Sequence, residues 1–161
     1  MKLTTTQAKI AALIEQVRQA PGIPTAWLPV SYVMAHVRIE SGFDATVKAG
    51  DFATTGSVGL MQVEATTARQ VAAQYPAAKL TLAQTDPYTS LCTGMLYLRD
   101  CYDYLLPVFD APLLYRHVCV AYNEGPGNAA KGIADSAYYY KWYSAQQDFA
   151  FLDTDPTIAA A

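Results

Sequence analysis

The sequence predicts a single all-α domain of about six to eight helices. Three observations carry this. At 161 residues the chain suits one domain that can bury a sizeable core. Apolar residues recur at helical spacing along most of its length, and no segment alternates as a half-buried strand does. Charged residues make up 16% and apolar residues 52%. Average domains carry roughly 25% charged residues, so the balance argues for a packed core and against disorder.

Taken in order, residues 7–19 read as an amphipathic helix with Ile10, Leu13, Ile14 and Val17 on one stripe, ended by Pro21-Gly22-Ile23-Pro24. A second helix starts near Pro29, a residue suited to the first turn. It runs through Val33 and Val37 towards Glu40 and stops at Ser41-Gly42, where Gly serves as a C-cap. Residues 43–58 are rich in Gly and Thr and read as a long loop, a kind that often carries function. Thr66 or Thr67 caps a helix to about Tyr75. Asp86-Pro87 places Asp at an N-cap and Pro at N1 of a helix reaching Leu105, before Pro107. Pro112 opens another, ending near Tyr122, and Gly125-Pro126-Gly127 breaks the chain. Short helices are expected over 128–134 and 136–146. The last dozen residues read as a loosely held tail. The expected organisation is a leader helix and linker over 1–28, a main domain over 29–146 and a tail over 147–161.

Composition excludes several classes of function. The net charge is −3 and Lys and Arg form no run, which does not favour nucleic acid, whose phosphates need clustered cations. No stretch has the apolar length to span a bilayer, and no basic amphipathic helix suggests a membrane surface. Cys92, Cys101 and Cys119 lack metal-site spacing, and nothing calls for a metal or other cofactor. Cys92 and Cys101 would lie about 13 Å apart on one helix, too far for a disulfide; a bond from Cys119 to either stays open. Twelve tyrosines supply broad rings with polar tips, fitted either to a sugar- or peptide-binding groove or to half-buried helix positions.

Glu40 is the first candidate for chemistry. It shares a helix face with Val33 and Val37 and so points inward. Desolvation there would raise its pKa and make it a proton donor near neutral pH, although a Glu at a helix end is also commonly just solvated. His36 lies one turn earlier, where it either touches Glu40 or stands by as a bystander. His117 has no evident partner, and neither His is joined by a Ser in a nucleophile-elbow setting.

Further motifs follow Glu40-Ser41: Gly59-Leu60-Met61-Gln62, then Asp86-Pro87 with Gly94 and Tyr97-Leu98, then Ala121-Tyr122-Asn123-Glu124-Gly125. In this order and register they resemble the soluble lytic transglycosylase family, the goose-lysozyme-like branch of the lysozyme superfamily. The likeness covers residues 29–145. It implies a lysozyme-like domain with a groove between two lobes, cleaving the MurNAc-GlcNAc β-1,4 bond of peptidoglycan with formation of 1,6-anhydro-MurNAc ends. Glu40 matches the sole acid/base. Ser41 belongs to the same motif. Met61 would pack on the glycan, and Gln62 would bind sugar or steady the acid. Tyr97 matches a groove tyrosine, and Tyr122 and Asn123 a pair whose polar tips face the substrate. Tyr138, with Lys141, loosely resembles a later tyrosine motif.

The loop between Glu40 and Gly59 is a few residues longer than is usual in the family and contains Gly50-Asp51-Phe52. The family's supporting Ser is replaced in this reading by Thr54 or Thr55. Asp51 motivates an alternative in which it positions water opposite Glu40, making a hydrolysing muramidase; an inverting pair needs carboxyls about 6.5–9.5 Å apart. A second alternative is an inactive glycan-binding or structural module of a phage particle or secretion apparatus. The expected partner is the peptidoglycan strand and the expected state a monomer. The first residues contain no apolar h-region, so delivery to the wall or periplasm is expected through a phage particle or specialised secretion machinery, or after removal of a signal.

Overall fold

A computed structural model describes residues 2–51, 53, 54, 56–111, 113–132 and 136–154. Within them the helices are α1 Thr5–Val17, α2 Val30–Ser41, α3 Ala65–Gln74, α4 Pro87–Leu105, α5 Leu113–Glu124, α6 Pro126–Ala129 and α7 Ser136–Phe149. Two 3-10 turns, Pro76–Ala78 and Ala150–Asp153, complete the helical part. The protein is thus mainly helical, as the sequence predicts. Pro112 and part of the helix expected over 128–134 lie outside the described residues.

One feature was not expected. A small antiparallel sheet, β1 Lys48–Ala49, β2 Ser57–Val58 and β3 Val63–Glu64, is ordered β1-β2-β3. Lys48 faces Val58, and Val58 faces Val63. Strands of two residues cannot show the alternation by which a strand is read from sequence.

Helix α4 is the central element. The Asp86 carboxylate accepts the Thr89 N–H at 2.8 Å as a true N-cap, and Leu91, Met95, Leu98, Cys101 and Leu105 are buried along it. The leader helix α1 is part of the same core, to which it contributes Ile10, Ile14 and Val17. It is closed by a capping box in which Thr4 and Gln7 exchange hydrogen bonds of 3.0 and 3.2 Å. All three cysteines are free and buried, so the bond left open for Cys119 does not form.

The chain beyond residue 146 is held more firmly than a loose tail. Helix α7 continues to Phe149, which is fully buried, and Asp153 accepts from the N–H and the hydroxyl of Ser31 at 2.9 and 2.6 Å. Pro29, the N-cap of α2, offers no side-chain cap. Asp153 therefore caps α2 from more than a hundred residues away, with its charge at the positive end of the helix. Gln146 adds a 3.0 Å bond to the Ser31 hydroxyl. Such a cap is tertiary, and local sequence does not announce it.

The turn at Gly59 packs directly against the approach to α4. Gly59 has φ +87, and a Cβ there would lie 1.9 Å from the Gln84 carbonyl oxygen, a backbone atom that cannot step aside. Gly59→Ala is expected to cost at least about 2 kcal/mol, read as a fall in the denaturant midpoint at unchanged slope. Gly127→Ala, with nothing within 4 Å of the new methyl group, is the near-neutral control.

Candidate active site

Glu40 sits on the last turn of α2, just before Gly42 takes the left-handed C-cap at φ 60. The apolar run Val33, Met34, Val37 is buried and fixes which face of α2 turns inward, so the Glu40 side chain is half-buried. It opens onto a cleft of about 540 Å³. The cleft walls come from the sheet, from α4 and from the end of α5, and they include Gln62, Tyr97, Tyr122 and Asn123. Five of the site residues expected from sequence, Glu40 among them, are therefore gathered around one hollow.

The carboxyl group has one strong partner from across the fold. Tyr138 of α7 donates its hydroxyl to Glu40 Oε1 at 2.6 Å, because α7 packs along α2. Two effects then compete at Glu40. Burial raises its pKa above the ordinary carboxyl value, and the Tyr138 hydrogen bond lowers it by less. The net shift is upward, with burial outweighing the hydrogen bond. The same burial pushes the hydroxyls of Tyr97, Tyr122 and Tyr138 upward, so these phenols stay neutral and act only through hydrogen bonds.

Several expected roles change. Met61 is fully buried and lies against α4, where a Cβ on Gly94 would meet its side chain at 2.7 Å. It packs in the core and not on a glycan. The cause is the turn around it: Gly59 and Gln62 both have positive φ, which turns Met61 inward, and its N–H bonds the Ser90 hydroxyl at 3.1 Å. Gln62 does line the cleft, but its amide donates to the carbonyls of Val47 and Gly59 at 2.9 and 2.8 Å and accepts from Ser57 at 3.0 Å. Both amide donations fasten the loop, and neither goes to Glu40. Tyr122 presents its ring to the cleft while its hydroxyl donates to the Met61 carbonyl at 2.7 Å, so its polar tip faces the loop. The Ser41 hydroxyl folds back on the Val37 carbonyl at 3.1 Å, the usual local bond of a Ser on a helix, and does not line the cleft.

Thr54 is exposed, donates to the Asp51 carbonyl at 3.1 Å and lies outside the cleft; Thr55 lies outside the described residues. Asp51 accepts the Ala53 N–H at 3.0 Å and lines a separate hollow with Lys48 and Gln84. The structure does not bring it beside Glu40, because the loop closes on itself through this turn. Lys141 lines a surface hollow with Arg38.

Sequence reasoning missed three participants. Ser57, Glu64 and Glu124 line the cleft, and only the unforeseen sheet brings the first two there. His36 is no bystander, since its Nδ1 lies 3.3 Å from the Tyr138 hydroxyl. Tyr97 and Asn123 stand where expected, the Tyr97 ring 5.3 Å from that of Tyr122 and Asn123 exposed on the rim. Among the described residues, no group of three or more His, Cys, Asp or Glu is placed to hold a metal ion.

The family model for the transglycosylase SLT domain matches residues 25–144. The chain belongs to this family. The match takes in Glu40, the cleft residues and Tyr138, and begins after α1. Comparison with curated proteins gives no match. Membership makes this SLT domain a lytic-transglycosylase-like, peptidoglycan-acting domain in general terms. No helix among its described residues is long and apolar enough to cross a membrane.

The competition at Glu40 has a measurable sign. Tyr138→Phe removes the effect that favours the carboxylate, so the folded-state pKa of Glu40 should rise. A reaction that needs protonated Glu40 fails as pH climbs through that pKa. The alkaline limb of peptidoglycan digestion by Tyr138→Phe is therefore expected at higher pH than in the wild type, by on the order of one unit.

Proposed function

We propose that this SLT domain is a lytic transglycosylase that cleaves the MurNAc-GlcNAc β-1,4 bond, with Glu40 as acid and then as base. What supports the reading is the position of one half-buried carboxyl group, bonded by Tyr138 at 2.6 Å, at the edge of a cleft of about 540 Å³. In the first step the Glu40 proton passes to the glycosidic oxygen as its bond to the MurNAc anomeric carbon breaks. The N-acetyl carbonyl of the substrate assists at that carbon, in the manner of substrate-assisted glycosidases. In the second step ionised Glu40 takes the proton of the C6 hydroxyl as that oxygen bonds the anomeric carbon and displaces the N-acetyl oxygen from it. The 1,6-anhydro ring closes, Glu40 regains its proton, and no water is consumed.

The other residues receive narrower roles than the motifs imply. The rings of Tyr97 and Tyr122 form an apolar wall for sugar faces. Asn123 and Ser57 supply polar contacts at the rim. Gln62 holds the wall in shape. We infer action on glycan strands in the wall or periplasm, as a monomer.

One observation favours a second reading. Glu64 and Glu124 share the cleft with Glu40, and a carboxylate opposite the acid can hold water for hydrolysis. The role assigned to Asp51 would then fall to one of these. The products distinguish the two readings, since anhydro-muropeptides are lighter by one water than hydrolysed ones. Purified peptidoglycan digested by the wild type is expected to give anhydro ends, and Glu40→Gln is expected to lower the rate at least about 100-fold. Reducing ends alone would make the domain a muramidase. Undiminished digestion by Glu40→Gln would remove Glu40 from the chemistry, and absence of any digestion with glycan binding retained would make the domain a binding module.

A further inference from the structure

The reaction above makes no use of the imidazole of His36. It is 2% exposed, with its ring centroid 4.8 Å from that of Tyr122 and 5.6 Å from that of Trp142. Its Nδ1 lies 3.3 Å from the Tyr138 hydroxyl, which in turn lies 2.6 Å from Glu40 Oε1. Imidazole, phenol and carboxyl group thus form a chain of two contacts drawn from α2 and α7.

A phenol has one hydrogen to donate and an oxygen that accepts. An ionised carboxylate only accepts, so the Tyr138 hydrogen belongs on it. A protonated carboxyl group has a hydrogen of its own to give, and Tyr138 then serves it best by accepting and turning its hydrogen elsewhere. His36 Nδ1 stands where that hydrogen would turn.

We propose that His36 is a positioning residue of the reaction, its Nδ1 accepting the Tyr138 hydrogen while Glu40 is protonated and giving it up when Glu40 ionises. In the acid form the order is Glu40 O–H to Tyr138 oxygen, and Tyr138 O–H to His36 Nδ1. In the ionised form Tyr138 O–H points to Glu40. No covalent bond breaks; the hydroxyl rotates, and one tyrosine supports both forms that the two reaction steps require. The imidazole must be neutral with its proton on Nε2. Burial drives its pKa down to about 3, so it stays uncharged where the enzyme would work. Around it stand Tyr32 of α2, Tyr115, Cys119 and Tyr122 of α5, and Tyr138 and Trp142 of α7, with Glu40 beyond Tyr138; Glu64 and Glu124 line the cleft.

This inference rests on Glu40 being the acid, and the two ideas fail differently. His36→Phe removes the acceptor, so the Tyr138 hydrogen stays on Glu40 and favours the carboxylate. The alkaline limb of digestion should then move to lower pH by on the order of one unit, opposite to Tyr138→Phe. Combined with Tyr138→Phe, His36→Phe should move nothing further, because it acts through the hydroxyl. His36→Asn, whose amide oxygen can take the place of Nδ1, should restore most of the wild-type limb. A limb that His36→Phe leaves in place or moves upward overturns the proposal, as does a shift that persists in the double variant. If His36→Phe does not fold, nitrogen NMR of the wild-type imidazole decides instead. A bare Nδ1 below the limb is expected, and a protonated Nδ1 overturns the proposal. Undiminished digestion by Glu40→Gln would sink the role of Glu40 and this inference with it, whereas loss of digestion there with an unmoved limb in His36→Phe would sink the role of His36 alone.

Discussion

The site depends on how α2 and α7 lie against each other. Their packing buries the Glu40 carboxyl group and at the same time delivers the Tyr138 hydroxyl to it at 2.6 Å. Burial alone would hold a carboxyl group protonated but make its ionised form costly, because a buried charge needs a partner. The hydrogen bond alone would favour the carboxylate. The two together keep the proton available while making its loss tolerable, as a group that gives and then takes a proton requires. The alignment is fixed at the far end of α2, where Asp153 and Gln146 both bond Ser31. The exposed Arg38–Asp148 ion pair joins the same two segments, but in solvent such a pair adds little.

The opposite wall is held by another set of constraints. Gly59 and Gly94 admit a close approach between the turn and α4, Met61 fills the space that Gly94 leaves, and Tyr122 bonds the Met61 carbonyl. The residues of the Gly59-Leu60-Met61-Gln62 motif therefore shape the cleft chiefly through packing and backbone hydrogen bonds. The rings of Tyr97 and Tyr122 line the cleft itself, with Asn123 beyond them on the rim. Rigid support of this kind lets a site hold its geometry to a fraction of an ångström.

Much of this was legible in the sequence where information is local. The Asp86-Pro87 start, the Gly42 stop and the inward face of α2 each follow from a few neighbouring residues, and these already direct Glu40 inward. The motifs then bring Gln62, Tyr97, Tyr122 and Asn123 to the cleft. What escaped is non-local or too short to be periodic. The strands are two residues long, so Ser57 and Glu64 had no reason to stand out. Tyr138 lies 98 positions from Glu40 and 102 from His36, a pairing that only helix packing reveals. Met61 was assigned outward because a motif records residue type and not the positive φ values that turn the side chain in. The chain beyond residue 146 looked free because its anchor, Ser31, lies at the other end of the sequence.

The central claim is that the fold holds the Glu40 carboxyl group protonated beyond its ordinary range. Its most direct test is a carbon NMR titration of that carboxyl group in the unliganded protein, with Glu40→Gln used to assign the signal. A midpoint above the ordinary Glu value of about 4.3 is the result expected. A midpoint at or below it would mean that hydrogen bonding outweighs burial and that the acid required for glycosidic cleavage is not prepared by the fold.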